Sequence, residues 1–325
     1  MMNDRHVLIV STIADVATDE VVRCLAARGV PHRRLNTEDY PFTRTFVYRP
    51  EPNIGENWLV SEGEPLPAPT TIWYRRLRTP AKPEGMDSGI YAFCLQENRA
   101  ALLGSIMNRD ARWMSHPAAV WQAEYKPFQL SLAADLGLSI PRTIVTNDPA
   151  AIKTAFANFG SMVVKPTRTG HLIQNGHEFA IFTSRVLEEH LDQLDNARLS
   201  PAIYQALVPK RFDLRITIVG RQIFAAAIES QSDPMAVIDW RQTSNPQLPH
   251  HPVHLPEAVA SLLLRLMDSL RLTFGAIDMI QTRKGEYVFL EVNPSGQWLW
   301  LDDVLEFGIS EAVANWLAGP TSVCN

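Results

Sequence analysis

Lysine is scarce in this chain. Of the 30 basic residues only 6 are lysine and the rest are arginine, so a lysine at the end of an apolar run carries more information here than in an average protein. Cysteine is scarcer still. Cys24, Cys94 and Cys324 are odd in number, far apart and without a C-x-x-C pair. That argues against a disulfide framework or a thiolate zinc site and fits a reducing cytoplasm. No apolar run approaches the length of a membrane span, and residues 7–10 are too short for a signal-peptide core; the expectation is a cytoplasmic protein with no membrane partner. A basic excess is also missing. The net charge of −5 speaks against a nucleic-acid partner held by counterion release.

What is present is ordinary globular material: 325 residues, 46% hydrophobic and 20% charged. This is enough for two domains, or for one domain and a large lobe. Residues 7–10, Val-Leu-Ile-Val, read as a buried parallel strand. A helix capped by Thr18 or Asp19 and stopped by Gly29 follows, then a strand over 30–35, so the chain opens as a β-α-β unit. The turn after the first strand, Ser11-Thr12-Ile13-Ala14-Asp15, has no glycine, which disfavours a dinucleotide site. Residues 41–69 read as hairpin or loop, with strand-like pieces at 45–48 and 58–60. Residues 72–74 resume a strand and 90–108 look helical.

A second region begins near His116-Pro117. Pro127 suits the first turn of a helix ended by Gly137. Strands are expected at 140–145, 162–165, 179–182 and 202–207. Asp148-Pro149 reads as a cap followed by a helix, and 184–195 as a charged helix. Beyond this, 214–219 and 222–228 form a hairpin, Pro256 opens a long amphipathic helix, and 274–281 pairs with 286–293.

The last hairpin carries the strongest chemical signal. Asp278 interrupts an apolar strand, and Glu291 and Asn293, two apart, share a face. Two carboxylates and an amide form a hard oxygen set suited to Mg²⁺ carrying phosphates; the alternative is a row of polar groups on a solvated face. Lys165 ends an apolar strand and Lys126 precedes a helix, where each can meet a phosphate as a point charge. Arg215 in an alternating strand and Arg241 after Asp239-Trp240 suit bidentate recognition of carboxylate or phosphate, or ordinary ion pairing. His250, His251 and His254 fit a metal cluster poorly, because Pro249 and Pro252 prevent the helical i, i+4 spacing.

In the order Lys126, Lys165, Gln205-Ala206-Leu207-Val208, Asp213-x-Arg215, Asp278, Glu291-x-Asn293 the chain resembles the ATP-grasp superfamily. Trp73-Tyr74-Arg75-Arg76, Ala123-Glu124-Tyr125-Lys126-Pro127, residues 141–148, Asp239-Trp240-Arg241 and Glu291-Val292-Asn293-Pro294-Ser295-Gly296-Gln297-Trp298 are similar to graspetide (microviridin-type) synthetases within it. The resemblance implies an α/β ATP-grasp fold with an N-terminal α/β pre-grasp domain over 1–115, a central lobe over 116–205 and a C-terminal lobe over 206–325. It implies ATP and Mg²⁺ as cofactors. Lys126 and Lys165 would meet the phosphates, Gln205, Ala206, Leu207 and Val208 would line the adenine pocket, and Asp278, Glu291 and Asn293 would hold the metal. Arg215 and Arg241 would serve the acyl phosphate or the acceptor carboxylate. The segment Thr167-Arg168-Thr169-Gly170-His171-Leu172 has one glycine where many relatives carry a glycine-rich flap, which makes Arg168 a candidate for covering the phosphates.

The implied activity is ATP-dependent activation of Glu or Asp side chains of a ribosomal precursor peptide, leader plus core, followed by closure of ester or amide macrocycles. The leader is expected on the central lobe, against the carboxylates of 184–195, and a homodimer stays open. The alternatives are a ligase that adds a free amino acid to a protein or small peptide, and a non-catalytic nucleotide- or peptide-binding module.

Overall fold

The computed structural model describes residues 6–51, 59–61, 64–168, 170–174, 177–243, 245 and 248–319. Trp58, Thr169 and Cys324, and part of the proline-rich stretch at 246–256, lie outside the described residues. Contacts divide the chain into two units. The first is Met1–Ala118 with Gln297–Asp302 and Gly308–Asn325, and the second is Ala119–Gly296 with Asp303–Phe307. This differs from the lobes expected from sequence in placing the last segments with the first unit. Elements are numbered in chain order.

In the first unit β1 (Val7–Ser11) is buried along its whole length. It pairs in parallel with β2 (His32–Asn36) on one side and β6 (Thr71–Tyr74) on the other, and β7 (Arg112–Met114) completes a four-stranded sheet. β3 (Phe46–Tyr48), β4 (Leu59–Ser61) and β5 (Glu64–Pro65) form a small antiparallel sheet in the stretch expected as hairpin. Helix α1 (Val16–Ala27) starts earlier than anticipated. Neither Thr18 nor Asp19 caps it, and Asp15 occupies the cap position without bonding the first-turn amides. The Asp15 carboxylate is instead engaged by Arg75 at 3.2 Å and by the hydroxyls of Ser11 and Thr18. Helix α2 (Ser88–Met107) is capped by Asp87, which accepts from the Gly89 and Ile90 amides. Helix α8 (Ile309–Ala318) packs on α1. Trp298, fully buried, lies 4.5 Å from the Arg75 guanidinium, and Gln297 accepts from Arg75 at 3.1 Å.

The second unit holds two larger sheets and one two-stranded pair. β8 (Thr143–Thr146), β9 (Met162–Lys165), β12 (Ser184–Val186) and β13 (Ala202–Ala206) form the order β12-β9-β13-β8. Helix α5 (Pro149–Phe159) covers them, with Ile152 and Ala155 packed on Met162, Val186 and Tyr204. Asp148 caps α5 as its sequence requires, accepting from the Ala150 and Ala151 amides. The charged helix expected at 184–195 is absent. Residues 184–186 pair antiparallel with β9, and a 3₁₀ segment, Glu188–Leu199, replaces the α-helix and breaks at Gln193. Its apolar residues Leu191, Leu194 and Ala197 pack on the core beneath α5, and their spacing of three matches the 3₁₀ repeat rather than the α-helical one. The strand expected at 179–182 is β11 (His177–Ala180), which forms a hairpin with β10 (His171–Gln174).

The second sheet is antiparallel: β16 (His250–Pro252), β15 (Gln222–Ile228), β14 (Lys210–Val219), β17 (Phe274–Thr282) and β18 (Tyr287–Asn293). Helix α6 (Glu257–Ser269) buries Leu263, Leu266 and Met267. Helix α4 (Lys126–Asp135) lies against β18 and grips it: the Gln129 amide donates to Val292 O and accepts from Val292 N, both at 2.8 Å. The short helices α3 (Pro117–Ala123) and α7 (Leu299–Leu305) fall where the chain passes between units. Among the described residues no helix is long and apolar enough to cross a membrane.

Candidate active site

Strand register builds the centre of the second unit. Arg215 on β14 is directly opposite Asp278 on β17, and Asp278 is directly opposite Glu291 on β18. Three charged side chains therefore stand in one row across three adjacent strands. The next row holds Thr217, Ala276 and Asn293. Between Asp278 and Met279 the register slips, because Met279 faces Phe289 and leaves Leu290 unpaired. This bulge turns the backbone locally. The Leu290 carbonyl accepts a hydrogen bond from Lys165 Nζ at 3.2 Å.

The charges are tightly coupled. Arg215 Nη1 reaches both oxygens of Asp278, at 3.0 and 3.1 Å. Glu291 Oε2 receives Lys126 Nζ at 2.9 Å and Lys165 Nζ at 3.8 Å. Arg241 is clamped by Asp239 through two bonds of 2.8 and 2.6 Å, and Asp239 also accepts from the Thr183 amide. Burial alone would raise the Glu291 pKa, but Lys126 and Lys165 outweigh it and hold the carboxyl at about 2. Asp278 moves the other way. Burial and the neighbouring Glu291 charge push its pKa up, against the pull of Arg215 and Arg241. Burial also lowers the Lys165 amine, with Lys126 adding to that effect and Glu291 opposing it.

The sites expected from sequence fall around this row. Lys165, Arg241, Asp278 and Glu291 line one cleft. Lys126, Arg168, Arg241, Glu291 and Asn293 line a second. Gln205, Ala206, Leu207 and Val208 line a third with Val163, Ile280 and Leu290, and Lys165 borders it. Gln205 is buried and donates to Thr143 Oγ1, while the Leu207 amide is held by Ser161 O. Arg168 is half exposed and paired with Glu124. Beside it Gly170 has no room for a Cβ, which would sit 2.1 Å from the Ile181 carbonyl oxygen. A close backbone approach, rather than a run of glycines, anchors the β10–β11 hairpin.

Lys210 has no place among the residues expected from sequence, and Asp213 enters there only through Asp213-x-Arg215, without a role of its own. They form a buried 2.7 Å pair between the first and third clefts, and Lys210 also donates to Ile238 O. A lysine and an aspartate three apart flanking an arginine-phenylalanine step is a common surface pattern, and only their burial distinguishes them. The bulge at Leu290 left no mark in the sequence either.

As a metal site the donor set is hard oxygen throughout. Asp278 and Glu291 are adjacent across the hairpin and Asn293 lies one row on. Among the described residues no three His, Cys, Asp or Glu side chains gather closely enough to hold a metal by themselves, and a third protein oxygen beside the two carboxylates would come from the Asn293 amide. Two partly buried carboxylates side by side repel, and a divalent cation would relieve that repulsion. The residues fit the ion.

Residues 6–120 match the family model described as the MvdD pre-ATP grasp domain. Several solved structures are similar over nearly the whole chain. A RiPP-associated ATP-grasp ligase of Chryseobacterium gregarium, in complex with ADP and a leader and core peptide, is 30% identical with a TM-score of 0.86, covering 96% of each chain. The macrocyclase MdnC of Microcystis aeruginosa, bound with precursor peptide MdnA, is 33% identical with a TM-score of 0.85, covering 96% of this chain and 98% of that one. The macrocyclase MdnB of the same organism is 30% identical with a TM-score of 0.80, covering 97% and 100%. A search of curated proteins by sequence found no match.

Proposed function

We propose, from the premise that this chain belongs to the RiPP-associated ATP-grasp ligases, that it closes macrocycles in a ribosomal precursor peptide by activating Glu or Asp side chains and joining them to a hydroxyl or amine. The observation that carries the reading is the row Arg215–Asp278–Glu291 with Lys126, Lys165 and Arg241 gathered on it. Phosphoryl transfer to a carboxylate brings negative charge together, and fixed cations with a hard oxygen set suit that task.

The four-stranded sheet belongs to the central lobe (116–205) and the five-stranded sheet to the C-terminal lobe (206–325) in this reading. Gln205, Ala206, Leu207 and Val208 line the adenine side. Lys126 and Lys165 meet the phosphates, and Arg168 sits at the rim. The first and third clefts are narrow, about 50 and 60 Å³, so nucleotide entry requires the two sheets to part. Asp278, Glu291 and Asn293 hold magnesium, which supplies charge neutralisation when bound. Arg241, kept firmly protonated by its bond to Asp239, and Arg215 present planar forks to the acceptor carboxylate and to the acyl phosphate made from it. The leader docks on the central lobe. There the exposed Leu172, Phe179 and Ile181 of the hairpin supply apolar contact, and the carboxylates of Glu188, Glu189 and Asp192 supply charge. A cytoplasmic location suits a reaction that consumes ATP.

The test is incubation of the purified chain with ATP, Mg²⁺ and a short precursor whose tail is rich in Thr or Ser and Glu or Asp. The expected result is ADP release with the loss of one water per ring by mass spectrometry. A mass gain with added free amino acid would instead indicate a ligase of that kind. Peptide binding without ADP release would indicate a binding module.

A further inference from the structure

The segment 141–148 holds more than the Asp148 cap. Its first residue, Pro141, lines the same cleft as Gln205, Ala206, Leu207 and Val208. Two residues on, Thr143 opens β8, directly opposite Gln205 on β13, and Gln205 is in turn opposite Val163 on β9. Alternation sends Ile144, Val164 and Tyr204 to the core beneath α5, so Thr143, Val163 and Gln205 share the other face of the sheet. Val163 and Gln205 line the cleft on that face.

A chain of hydrogen bonds runs along it. Thr143 Oγ1 donates to Pro141 O at 2.7 Å, and Gln205 Nε2 donates to Thr143 Oγ1 at 2.9 Å. Chemistry fixes both directions. A carbonyl only accepts, so the Thr143 hydroxyl spends its one proton on Pro141 and has only lone pairs left for Gln205. Gln205 must turn its NH₂ to Thr143, which leaves Oε1 as the other end of the amide. None of the described residues donates to that oxygen, and it is not sealed from its surroundings.

The rest of the cleft offers little that could do the same work. The Ala206 amide is spent on Arg142 O at 2.9 Å and the Leu207 amide on Ser161 O at 2.8 Å. Lys165 and Lys210 are donors only. Among the described lining residues Gln205 alone carries a side-chain carbonyl oxygen. A purine with an amino group at C6 brings a donor to that oxygen, whereas a purine with a carbonyl at C6 brings a second lone pair.

We propose that Thr143 is a positioning residue that sets base selectivity: it holds Gln205 Oε1 toward the cleft, which then takes a 6-aminopurine and turns away a 6-oxopurine. The inference rests on the reading above that places adenine beside Gln205.

Titration calorimetry on the full-length enzyme with ADP and with inosine diphosphate tests it, in Mg²⁺ and without peptide. The parent should bind ADP about tenfold or more tightly than inosine diphosphate. Thr143→Val keeps the branched shape and loses the hydroxyl, so the Gln205 amide is released to turn its NH₂ to the cleft. The ratio of the two affinities should fall about threefold or more, chiefly because inosine diphosphate binds better, a gain that damage to the fold does not produce. Thr143→Ser restores the hydroxyl and should restore the parent ratio. A parent without preference, a parental ratio in Thr143→Val, or the same loss in Thr143→Ser would overturn the role of Thr143. Gln205→Leu separates that role from the reading beneath it. ADP affinity should drop about tenfold in this variant, and unchanged ADP binding overturns the placing of adenine in this cleft. Weakened ADP binding in Gln205→Leu with an unmoved ratio in Thr143→Val overturns the part of Thr143 alone.

Discussion

Gly296→Ala should inactivate the enzyme without unfolding it. The turn from Asn293 to Gly296 folds back over the row of charges, and a Cβ at Gly296 would lie 2.3 Å from the Ala276 Cβ, 2.8 Å from Arg215 Nη2 and 3.3 Å from Asn293 O. Non-bonded carbons rest at about 3.5–4.0 Å, so the methyl must open the first contact by more than about 1 Å. Two movements relieve the two contacts. The turn lifts away from Ala276 and carries Asn293 with it, and Arg215 swings away from the new methyl and loosens its bonds to Asp278. Each shifts a group proposed for catalysis by about 1 Å, and a misplacement of that size costs roughly 10²-fold in rate. Overpacking should cost about 1–3 kcal/mol in stability, lowering Tm by a few degrees. The assay is ring count by mass spectrometry with ADP release in parallel. The double variant Gly296→Ala/Ala276→Gly removes the carbon clash but keeps the contact with Arg215, so it should recover Tm and remain slow. A Gly296→Ala enzyme within twofold of the parent rate would refute the claim that this close approach positions Arg215.

Four further outcomes follow from the charged row and the acidic segment. Glu291→Gln should remain folded by circular dichroism and lose ADP production about hundredfold or more; near-normal turnover would remove Glu291 from the metal set. Glu291 is held at about 2 against an ordinary 4.5, so its pairing contributes stability that is present above 4.5 and is lost as pH falls towards 2; Lys126→Met should therefore raise the midpoint of acid unfolding, and an unmoved midpoint would contradict the pairing. Arg215→Lys and Arg241→Lys should bind ATP with near-parental affinity in a fluorescence titration yet form few or no rings, since an ammonium cannot replace a planar fork; product at the parent rate in both would return the two arginines to a structural role. Reversing charge at Glu188, Glu189 and Asp192 together should weaken leader affinity about tenfold in low salt, with less effect at high salt; unchanged affinity would show that the 3₁₀ segment is only a solvated face.

The sequence exposed those features whose cause is local. Asp148-Pro149 caps α5 because a carboxylate can reach the first-turn amides of any helix. The last hairpin was legible because Asp278 and Glu291 break otherwise apolar strands. Features with non-local causes were hidden. Asp15 fails to cap α1 because Arg75, sixty positions away, competes for its carboxylate. Ser184-Arg185-Val186 looks like the start of a charged helix, and only the free edge of β9 makes it a strand. The partnership of Lys126 with Glu291 needed the α4–β18 contact, which no periodicity encodes.

The grip of α4 on β18 has a consequence for how a flexible chain can be recognised. Sheets commonly receive peptides by accepting them as an extra strand along an open edge. Along the middle of β18 four backbone groups are taken: the Phe289 amide by Ser139 O, the Leu290 carbonyl by Lys165, and both polar groups of Val292 by Gln129. From Phe289 to Val292 these bonds interrupt the ladder that an added strand would zip onto, so the register of a segment brought to the charged row is not dictated residue by residue there. In the reading proposed above it is held where its own carboxylates meet Arg215 and Arg241. An enzyme built this way reads the spacing of acidic side chains and tolerates variation in the residues between them.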